Sequence, residues 1–398
     1  TYYLSQMSYF LLPKVSYNTN LSKYIDVKVL NKTNTEPAIN KTLSTYLTTI
    51  KTEIDNRQDD WDRFKKYTNP YEYIHTQISN SKPAVCKVKP LSRSYFKMIE
   101  MCGLFELTKQ LPVNCKTMHL AEGPGGFIEA LGHLRQNKND KYIGISLIDK
   151  NNHNVPGWKK SNVFLENNTN VFIETAADRT GNLMSLDNLK YCQRKYKQSI
   201  DMVTADGGFD FSIDFNHQEA VSSKLILCQI IFAIAVQKKH GNFLIKFFDT
   251  FTSASIDMLY LLSILYEEVY FVKPNSSRYA NSEKYVVCKN FRMDNSSELV
   301  RQLYPVFNKG AIDVNISEIF TMRPPYLFVN KIEEINAIYG QQQLDSIATT
   351  LNLIDNNKSD KIENLKKHNI QKCVSWCQKY NLPHNKNNTG NIFLNNKE

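Results

Sequence analysis

One segment constrains the fold of this chain more than any other. In it, a short apolar run leads through closely spaced glycines into a helix-like stretch. Residues 119–127 read HLAEGPGGF. Glycine lacks a Cβ atom, so the backbone can approach a ligand, and the helix that follows offers free N–H groups. The pattern predicts a nucleoside cofactor at the carboxyl end of a strand, although a tight turn without a ligand would look the same. Ile128 replaces the third glycine of the dinucleotide fingerprint, which argues against a dehydrogenase.

The region from 91 to 292 alternates short apolar strands with helix-like stretches. Strands are predicted at 117–121, 142–147, 171–174, 202–205, 242–247, 267–272 and 284–288, and helices at 126–134, 218–237 and 253–265. Right-handed crossovers would stack such helices on the sheet. The predicted fold class is therefore α/β, with a Rossmann-like, seven-stranded, mostly parallel sheet covered by helices on both faces.

Two flanks surround this region, and both are predicted to be mainly helical. Apolar residues have helical spacing over 43–64 in the first flank, and over 331–339 and 362–380 in the second. Residues 385–398 are rich in Asn and Lys and predict a loose tail. We therefore divide the chain into an N-terminal region (1–90) that contacts RNA or a partner, a central domain (91–292) and a C-terminal extension (293–398).

Composition restricts the classes of protein that this chain can belong to. Hydrophobic residues make up 42% and charged residues 22%, which is typical of globular chains and excludes a largely disordered or collagen-like one. Lys and Arg number 49 against 39 acidic residues, giving a net charge of +10. This excess favours a polyanionic partner such as nucleic acid, with mere solubility as the alternative.

Membranes, metals and disulfides are not expected. No apolar run has the length of a membrane span, and the N-terminal residues are polar, so we expect an intracellular protein, in the cytoplasm or alternatively in the nucleus. The 8 cysteines are mostly scattered in apolar stretches. Cys373 and Cys377 are close together, but one such pair is weak evidence for zinc.

Two further strand ends carry charged residues. Asp206 follows an apolar strand and precedes two glycines in 204–209 (TADGGF), where it could serve a site or merely begin a turn. Lys246 interrupts the apolar strand in 241–249 (GNFLIKFFD). Burial and neighbouring charges can convert such an amine into a base, whereas a lysine that extends to water is the alternative.

The loop that begins at Lys273 is rich in residue types that bind phosphate. Lys273 and Arg278 can hold phosphates, Ser276 and Ser277 can donate hydrogen bonds, and Tyr279 can stack on a base. A solvated loop between two strands is the alternative interpretation.

In this order, these segments resemble the FtsJ-like ribose 2′-O-methyltransferases, and most closely the cap-specific members that include viral and animal Adrift-type enzymes. The resemblance covers about half of the chain. The matching segments are 69–72 (NPYE), 94–98 (SYFKM), 120–127, 206–209, 216–219 (NHQE), 243–248 and 274–287.

The resemblance implies a catalytic tetrad and a methyl donor. The tetrad consists of Lys97, Asp206, Lys246 and Glu283, with Lys246 as the base that takes the ribose hydroxyl proton. The implied cofactor is S-adenosylmethionine, held by Glu122, Gly123, Pro124, Gly125, Gly126, Phe127, Asp178 and Asp206, with Asp178 near the adenine. Contacts to RNA are expected from Arg93, Lys273, Ser276, Ser277, Arg278 and Tyr279.

The sequence thus predicts an enzyme that methylates the first or second transcribed nucleotide of capped mRNA without a metal, in contact with proteins of the capping or transcription machinery. A 2′-O-methyltransferase of ribosomal or transfer RNA and a catalytically silent RNA-binding scaffold are the alternatives. The Asn- and Lys-rich composition fits an AT-rich genome, such as that of a large DNA virus, which would place the protein in a viral factory or virion.

Overall fold

The computed structural model describes residues 9–16, 21–30, 36–79, 82–149, 155, 157–208, 216–308, 315–356 and 358–385. Phe209 and the predicted tail after Asn385 lie outside these residues. The strands are β1 (Tyr9–Leu11), β2 (Ile25–Leu30), β3 (Lys116–Leu120), β4 (Lys141–Ile145), β5 (Val171–Glu174), β6 (Ile200–Ala205), β7 (Gln237–Phe247), β8 (Tyr266–Val272), β9 (Lys284–Phe291) and β10 (Asn315–Phe320). The helices are α1 (Lys41–Asp55), α2 (Gln58–Thr68), α3 (Ser94–Phe105), α4 (Gly126–Arg135), α5 (Asn162–Asn167), α6 (Leu186–Tyr196), α7 (Gln218–Val236), α8 (Ser253–Leu265), α9 (Ser297–Gln302), α10 (Pro305–Asn308), α11 (Tyr326–Asn356) and α12 (Ser359–Lys379).

Eight strands form one sheet in the order β1-β8-β9-β7-β6-β3-β4-β5. The strands from β7 to β5 in this order run parallel, whereas β9 is antiparallel to both of its neighbours. The predicted α/β architecture is confirmed, and all seven predicted strands are present. The eighth strand, β1, pairs with β8 and comes from the N-terminal flank. The prediction of a helical flank missed it, because 3 residues are too few to show the alternation of a strand.

Helices cover both faces of this sheet. Met202 and Val203 are neighbours on β6, yet they belong to separate apolar clusters. Successive residues of a strand point to opposite faces, so the two clusters lie on opposite sides. The cluster of Val203 includes α7 and α8, and the cluster of Met202 includes α3, α4 and α12.

Helix α7 corrects one expectation about membranes. By length and composition it is apolar enough to cross a bilayer, although we expected no such stretch. In the structure, 83% of the apolar segment of this helix is buried, and the helix packs against α6, β7 and β10. Its apolar character is therefore that of a helix in a protein core.

Trp158 explains a glycine in the middle of a strand. A Cβ atom at Gly144, on β4, would lie 2.4 Å from the indole ring of Trp158. The same ring would lie 3.4 Å from a Cβ atom at Gly125, in the glycine-rich turn. Trp158 therefore fills the space between β4 and the turn, and supports the turn from that side.

The two flanks pack against each other as well as against the sheet. Helices α1 and α2 both contact α11, and β2 pairs with β10. The helix predicted over 43–64 is two helices, because the chain turns at Asn56 and Arg57. The helix predicted over 331–339 is a part of α11, which has 31 residues, and the one predicted over 362–380 corresponds to α12.

Candidate active site

A cleft of about 790 Å³ lies at the carboxyl ends of the parallel strands. Ala121 and Gly123 line it just after β3, Ser146 just after β4, and Asp206 just after β6. Lys246 reaches it from the end of β7. Ligands of open α/β sheets bind at this edge, and the volume is in the range of small-molecule sites.

The glycine-rich turn forms one wall of the cleft, and its glycines are required by close contacts. A Cβ atom at Gly123 would lie 2.2 Å from a backbone carbonyl oxygen of a neighbouring loop. One at Gly126 would lie 2.3 Å from the hydroxyl oxygens of Ser92 and Ser94. Gly125 has a φ angle of 110°, which residues with a side chain rarely adopt, and it immediately precedes α4.

Other residues predicted to bind the cofactor hold this turn together instead of lining the cleft. The backbone N–H of Phe127 donates to Oε1 of Glu122 at 2.5 Å, and the ring of Phe127 is fully buried. Burial raises the pKa of Glu122 well above its usual range, and the negative charge of Asp206 adds to the effect. The carbonyl oxygen of Pro124 accepts a hydrogen bond from the hydroxyl of Ser161.

Asp178 lies in the loop that follows β5 and is not among the residues that line the cleft. Its exposed carboxylate accepts hydrogen bonds from the backbone and hydroxyl of Thr180, at 2.8 and 2.7 Å, and from the side chain of Asn188 at 2.9 Å. It thereby shapes the loop whose residues 181–184 line the cleft. Its predicted contact with the adenine stays a prediction.

The four predicted catalytic residues come together as two ion pairs. The ammonium of Lys97, on α3, contacts the carboxylate of Glu283, which precedes β9. Nζ of Lys246 lies 3.3 Å from Oδ1 of Asp206 and donates to the backbone carbonyl of the same residue at 2.7 Å. Asp206, Lys246 and Glu283 line the cleft, while Lys97 is buried behind Glu283.

Tyr285 joins the two pairs, although it was not among the site residues predicted from the sequence. Its hydroxyl donates to Oδ1 of Asp206 at 2.8 Å and accepts from Nζ of Lys97 at 3.4 Å. Tyr285 lies opposite Lys246 in the pairing of β7 with β9, and it is fully buried. A signal for Tyr285 was present in the sequence, because alternate residues of a strand point to the same face and residue 285 therefore shares a face with Glu283.

Glu283 is held ionised by its neighbours. Burial alone would raise the pKa of its carboxyl group, but the positive charges of Lys97 and Lys246 hold this pKa well below its usual range. The hydroxyl of Ser277 also donates to Glu283, at 3.3 Å. The cleft therefore contains a fixed negative charge next to the two lysines.

The residues predicted to contact RNA separate into two groups. Arg93, Arg278 and Tyr279 line the cleft. Lys273, Ser276 and Ser277 are buried, with exposed fractions of 3%, 6% and 1%. Nζ of Lys273 donates to Asn281 and to the backbone carbonyl of Glu283, and Ser276 donates to Glu100. These three residues hold the loop in shape, which corrects the prediction that they touch phosphates directly.

The flanks build the wall of the cleft that faces the sheet edge. Lys51 from α1, Trp61 and Lys65 from α2, and Gln343 from α11 all line it. Lys51 is tied to the sheet, since its Nζ lies 3.1 Å from Oδ2 of Asp249 just after β7.

Helix α12 supports this wall from behind. The side chain of Asn369 donates to the backbone carbonyls of Tyr67 and Asn69, at 2.8 and 3.3 Å.

Among the cleft-lining residues of the described chain, five are basic and two are acidic. The basic ones are Lys51, Lys65, Arg93, Lys246 and Arg278, and the acidic ones are Asp206 and Glu283. This excess of positive charge suits an anionic ligand.

Comparison with known proteins agrees with this geometry. The FtsJ-like methyltransferase family model matches residues 90–291, which confirms the predicted resemblance. The chain is similar to cap-specific mRNA (nucleoside-2′-O-)-methyltransferase 2 of Drosophila melanogaster, at 28% identity over 307 residues, which are 73% of this chain and 43% of the relative. It is also similar to the protein of that name from Mus musculus, at 28% identity over 342 residues, which are 82% and 43% of the two chains.

A third relative limits what these similarities establish. It is the inactive cap-specific mRNA (nucleoside-2′-O-)-methyltransferase 1B of Caenorhabditis briggsae, at 28% identity over 237 residues, which are 56% of this chain and 27% of the relative. The chain spans less than half of the length of all three relatives. They are animal proteins and give no support to a viral source.

Proposed function

The chain belongs to the FtsJ-like methyltransferase family, and from this membership we propose that it transfers a methyl group from S-adenosylmethionine to a ribose 2′-hydroxyl of RNA. The substrate in this proposal is the 5′ end of capped mRNA, and the acceptor is the first or second transcribed nucleotide. The names of the relatives from Drosophila melanogaster and Mus musculus support this choice of substrate.

One observation carries the proposal. The glycine-rich turn and the ends of β6 and β7 open into the same cleft, so a bound cofactor and the amine of Lys246 would share one space. Two reactants that are held together in the correct orientation react as if they were parts of one molecule. Much of the entropy cost of bringing them together is then removed from the reaction barrier. A scaffold without catalysis would not require a buried tetrad of charges at this position.

The cleft fits S-adenosylmethionine chemically. The apolar side chains of Leu147, Leu183 and Met184 would contact the adenine, while Gly123 and Asp206 would lie near the charged methionine part. The glycine turn allows close approach, since the space that a side chain would fill there is already occupied by the protein backbone. S-adenosylmethionine supplies a methyl group on a positively charged sulfur atom, which keeps the electrons of the broken bond.

In the proposed mechanism, Lys246 takes the proton of the ribose hydroxyl as the oxygen attacks the methyl group. An amine must be neutral to accept a proton. The carbonyl and carboxylate of Asp206 hold Nζ from two sides. Lys97 and Glu283 form the second pair. Tyr285 connects this pair to Asp206 and so holds it in position relative to Lys246.

The flanks have a substrate role in this proposal. Residues 91–292 form the catalytic domain, and residues 1–90 and 293–398 contribute the wall on which RNA lies. Lys65, Arg93 and Arg278 would contact phosphates there. Proteins of the capping or transcription machinery are the proposed partners, and the cytoplasm is the proposed compartment.

The experiment that tests this function measures transfer of labelled methyl from S-adenosylmethionine to short RNAs. The RNAs carry an N7-methylated cap, an unmethylated cap or a 5′-triphosphate, and the modified nucleotide is mapped afterwards. Label on the first or second nucleotide of capped RNA alone is the expected result. Equal label on all three RNAs would support the alternative of a ribosomal or transfer RNA substrate, and no label on any of them would support the silent scaffold.

A further inference from the structure

A second group of polar side chains faces the cleft beside α2, and it is separate from the tetrad. At its centre lies Glu72, which is fully buried in the short helix Glu72–Ile74. Its carboxylate accepts hydrogen bonds from Nε and Nη2 of Arg278, at 2.9 and 2.7 Å. It also accepts from the amide nitrogen of Asn69 at 2.7 Å and from the hydroxyl of Thr76 at 2.9 Å.

Glu72 determines how the side-chain amide of Asn69 is oriented. An ionised carboxylate can only accept hydrogen bonds, so Nδ2 of Asn69 points toward Glu72 and Oδ1 points away. Burial alone would raise the pKa of Glu72, but Arg278 holds it at about 2, so the carboxylate is ionised at neutral pH.

The amide oxygen of Asn69 is left without a donor. Asn69 lines the cleft and is 4% exposed, and its Oδ1 has no hydrogen-bond partner within the described parts of the chain. A buried acceptor without a partner is costly, so such atoms in native proteins usually mark a missing water or ligand.

Glu72 also fixes the direction of Arg278. The pair uses Nε and Nη2, and Nη1 takes no part in it. Arg278 lines the cleft near Lys65 and Arg93. A guanidinium that is clamped along one edge can present its remaining nitrogen to an anion with little further loss of side-chain entropy.

We propose that Asn69 and Arg278 form a nucleotide subsite for the RNA substrate, and that Glu72 is the positioning residue that aims both side chains. The proposal rests on the proposed function, because that function makes RNA the ligand. Nη1 of Arg278 donates to a phosphate oxygen, and Oδ1 of Asn69 accepts from a hydroxyl or amino group of the same or an adjoining nucleotide. Both side chains bind the same oxygen of Glu72, Oε2, so one nucleotide can bridge them.

The test compares Glu72→Gln and Arg278→Gln with the wild type in methyl transfer to a short RNA with an N7-methylated cap. Gln keeps the shape of residue 72 but removes the charge that orients Arg278. We expect the KM for RNA to rise about tenfold in each variant, since a charge-assisted hydrogen bond is lost. The value of kcat at saturating RNA and the affinity for S-adenosylmethionine should not change.

The salt dependence of RNA binding separates a positioning role from a structural one. The slope of log affinity against log salt should become shallower by about one phosphate contact in both variants. The double variant should have the same slope as Arg278→Gln alone, because Glu72 reaches the phosphate only through Arg278. Asn69→Ala should raise the KM a few-fold, by roughly the value of one neutral hydrogen bond, without altering the slope.

The matched control is Asp140→Asn, which breaks another two-point pair, with Arg135, at the amino end of β4 and away from the cleft. We expect it to lower Tm but to leave the KM for RNA unchanged. An unchanged KM and slope in Glu72→Gln, or an equal rise of KM in Asp140→Asn, overturns the subsite. If the wild type methylates no capped RNA, the proposed function fails instead, and fluorescence anisotropy with 3′-labelled RNA still tests the subsite on the same variants.

Discussion

The hydroxyl of Tyr285 donates a 2.8 Å hydrogen bond to Oδ1 of Asp206, and through this bond the two ion pairs of the tetrad become one network. The same hydroxyl accepts from Lys97, which is paired with Glu283. Because Asp206 also holds the amine of Lys246, the tyrosine helps to fix the position of Lys246 without touching it. The position of Lys246 therefore depends on a residue that carries no charge.

Replacement of Tyr285 by Phe should lower kcat about tenfold, since one hydrogen bond to a charged group is removed. The KM for RNA should stay the same, because the ring remains in place. Tyr142→Phe is the matched control, because the hydroxyl of Tyr142 donates to Asp140 at 3.1 Å at the far edge of the sheet. Steady-state kinetics of the two variants measure this effect, and an equal loss of kcat in both would contradict a role of Tyr285 in the tetrad.

Replacement of Lys246 by Ala should lower methyl transfer by at least about a hundredfold, as expected for loss of a general base. RNA binding should largely survive, because four other basic residues line the cleft. Lys239→Ala, near the start of the same strand, removes a half-exposed lysine paired with Asp294 and should leave the rate unchanged. Single-turnover rates measure the effect, and a rate near that of the wild type in Lys246→Ala would exclude this base.

Replacement of Gly123 by Ala should weaken the binding of S-adenosylmethionine at least about tenfold, because the new methyl group would displace the turn from its neighbouring loop. Gly132 lies on α4 behind the same turn, and a Cβ atom there would meet nothing within 4 Å. Gly132→Ala should therefore keep the affinity and stabilise the protein by about 0.5–1 kcal/mol. Calorimetric titration and thermal unfolding test both variants, and equal affinities would mean that the turn does not bind the cofactor.

The stability of the protein should depend on the protonation of Asp257. Its carboxylate, on α8, accepts from the backbone N–H groups of Ile319 at 2.8 Å and Phe320 at 3.4 Å, and burial raises its pKa to about 6. An unfolded Asp has a pKa of about 3.9, so the folded state binds this proton more tightly. The stabilisation by this group is thus fully present below about pH 4 and is lost as the pH rises through about 6.

The free energy of unfolding of the wild type, relative to that of Asp257→Asn, should fall by roughly 2 kcal/mol between about pH 4 and pH 7. Asn can accept the same backbone hydrogen bonds but does not titrate. Urea unfolding at several pH values measures the difference. A constant difference across this range would show that Asp257 keeps an ordinary pKa in the folded protein.

The sheet was predictable because each strand of its parallel part is an apolar run between turn residues. Helix α8 begins and ends at the predicted residues, 253 and 265, since its apolar sequence lies between two strands. Strand β1 was not predictable, because it is short and its partner β8 lies far along the chain. The break between α1 and α2 was missed as well, because Asn56 and Arg57 do not interrupt the apolar spacing.

The tetrad was predictable from the resemblance, and the structure brings its four members together. Lys273, Ser276 and Ser277 were misassigned, because a polar sequence does not tell whether a side chain faces solvent or satisfies its own loop. Asn69 and Glu72 stood in a matching segment without a stated role. The contact of Glu72 with Arg278 joins residues 206 positions apart, which no local pattern reveals.

The support that α12 gives to α2 has a consequence for how the protein is made. Asn369 holds the carbonyl of Tyr67 across 302 positions of sequence. A ribosome releases β3 to β9 before α12, and domains generally fold as they emerge. The nascent chain can therefore form the sheet-edge side of the cleft while the wall built by the flanks still lacks the support of α12. If this wall binds RNA as proposed, RNA binding is the last property that the chain acquires, and an unfinished chain has little opportunity to capture transcripts.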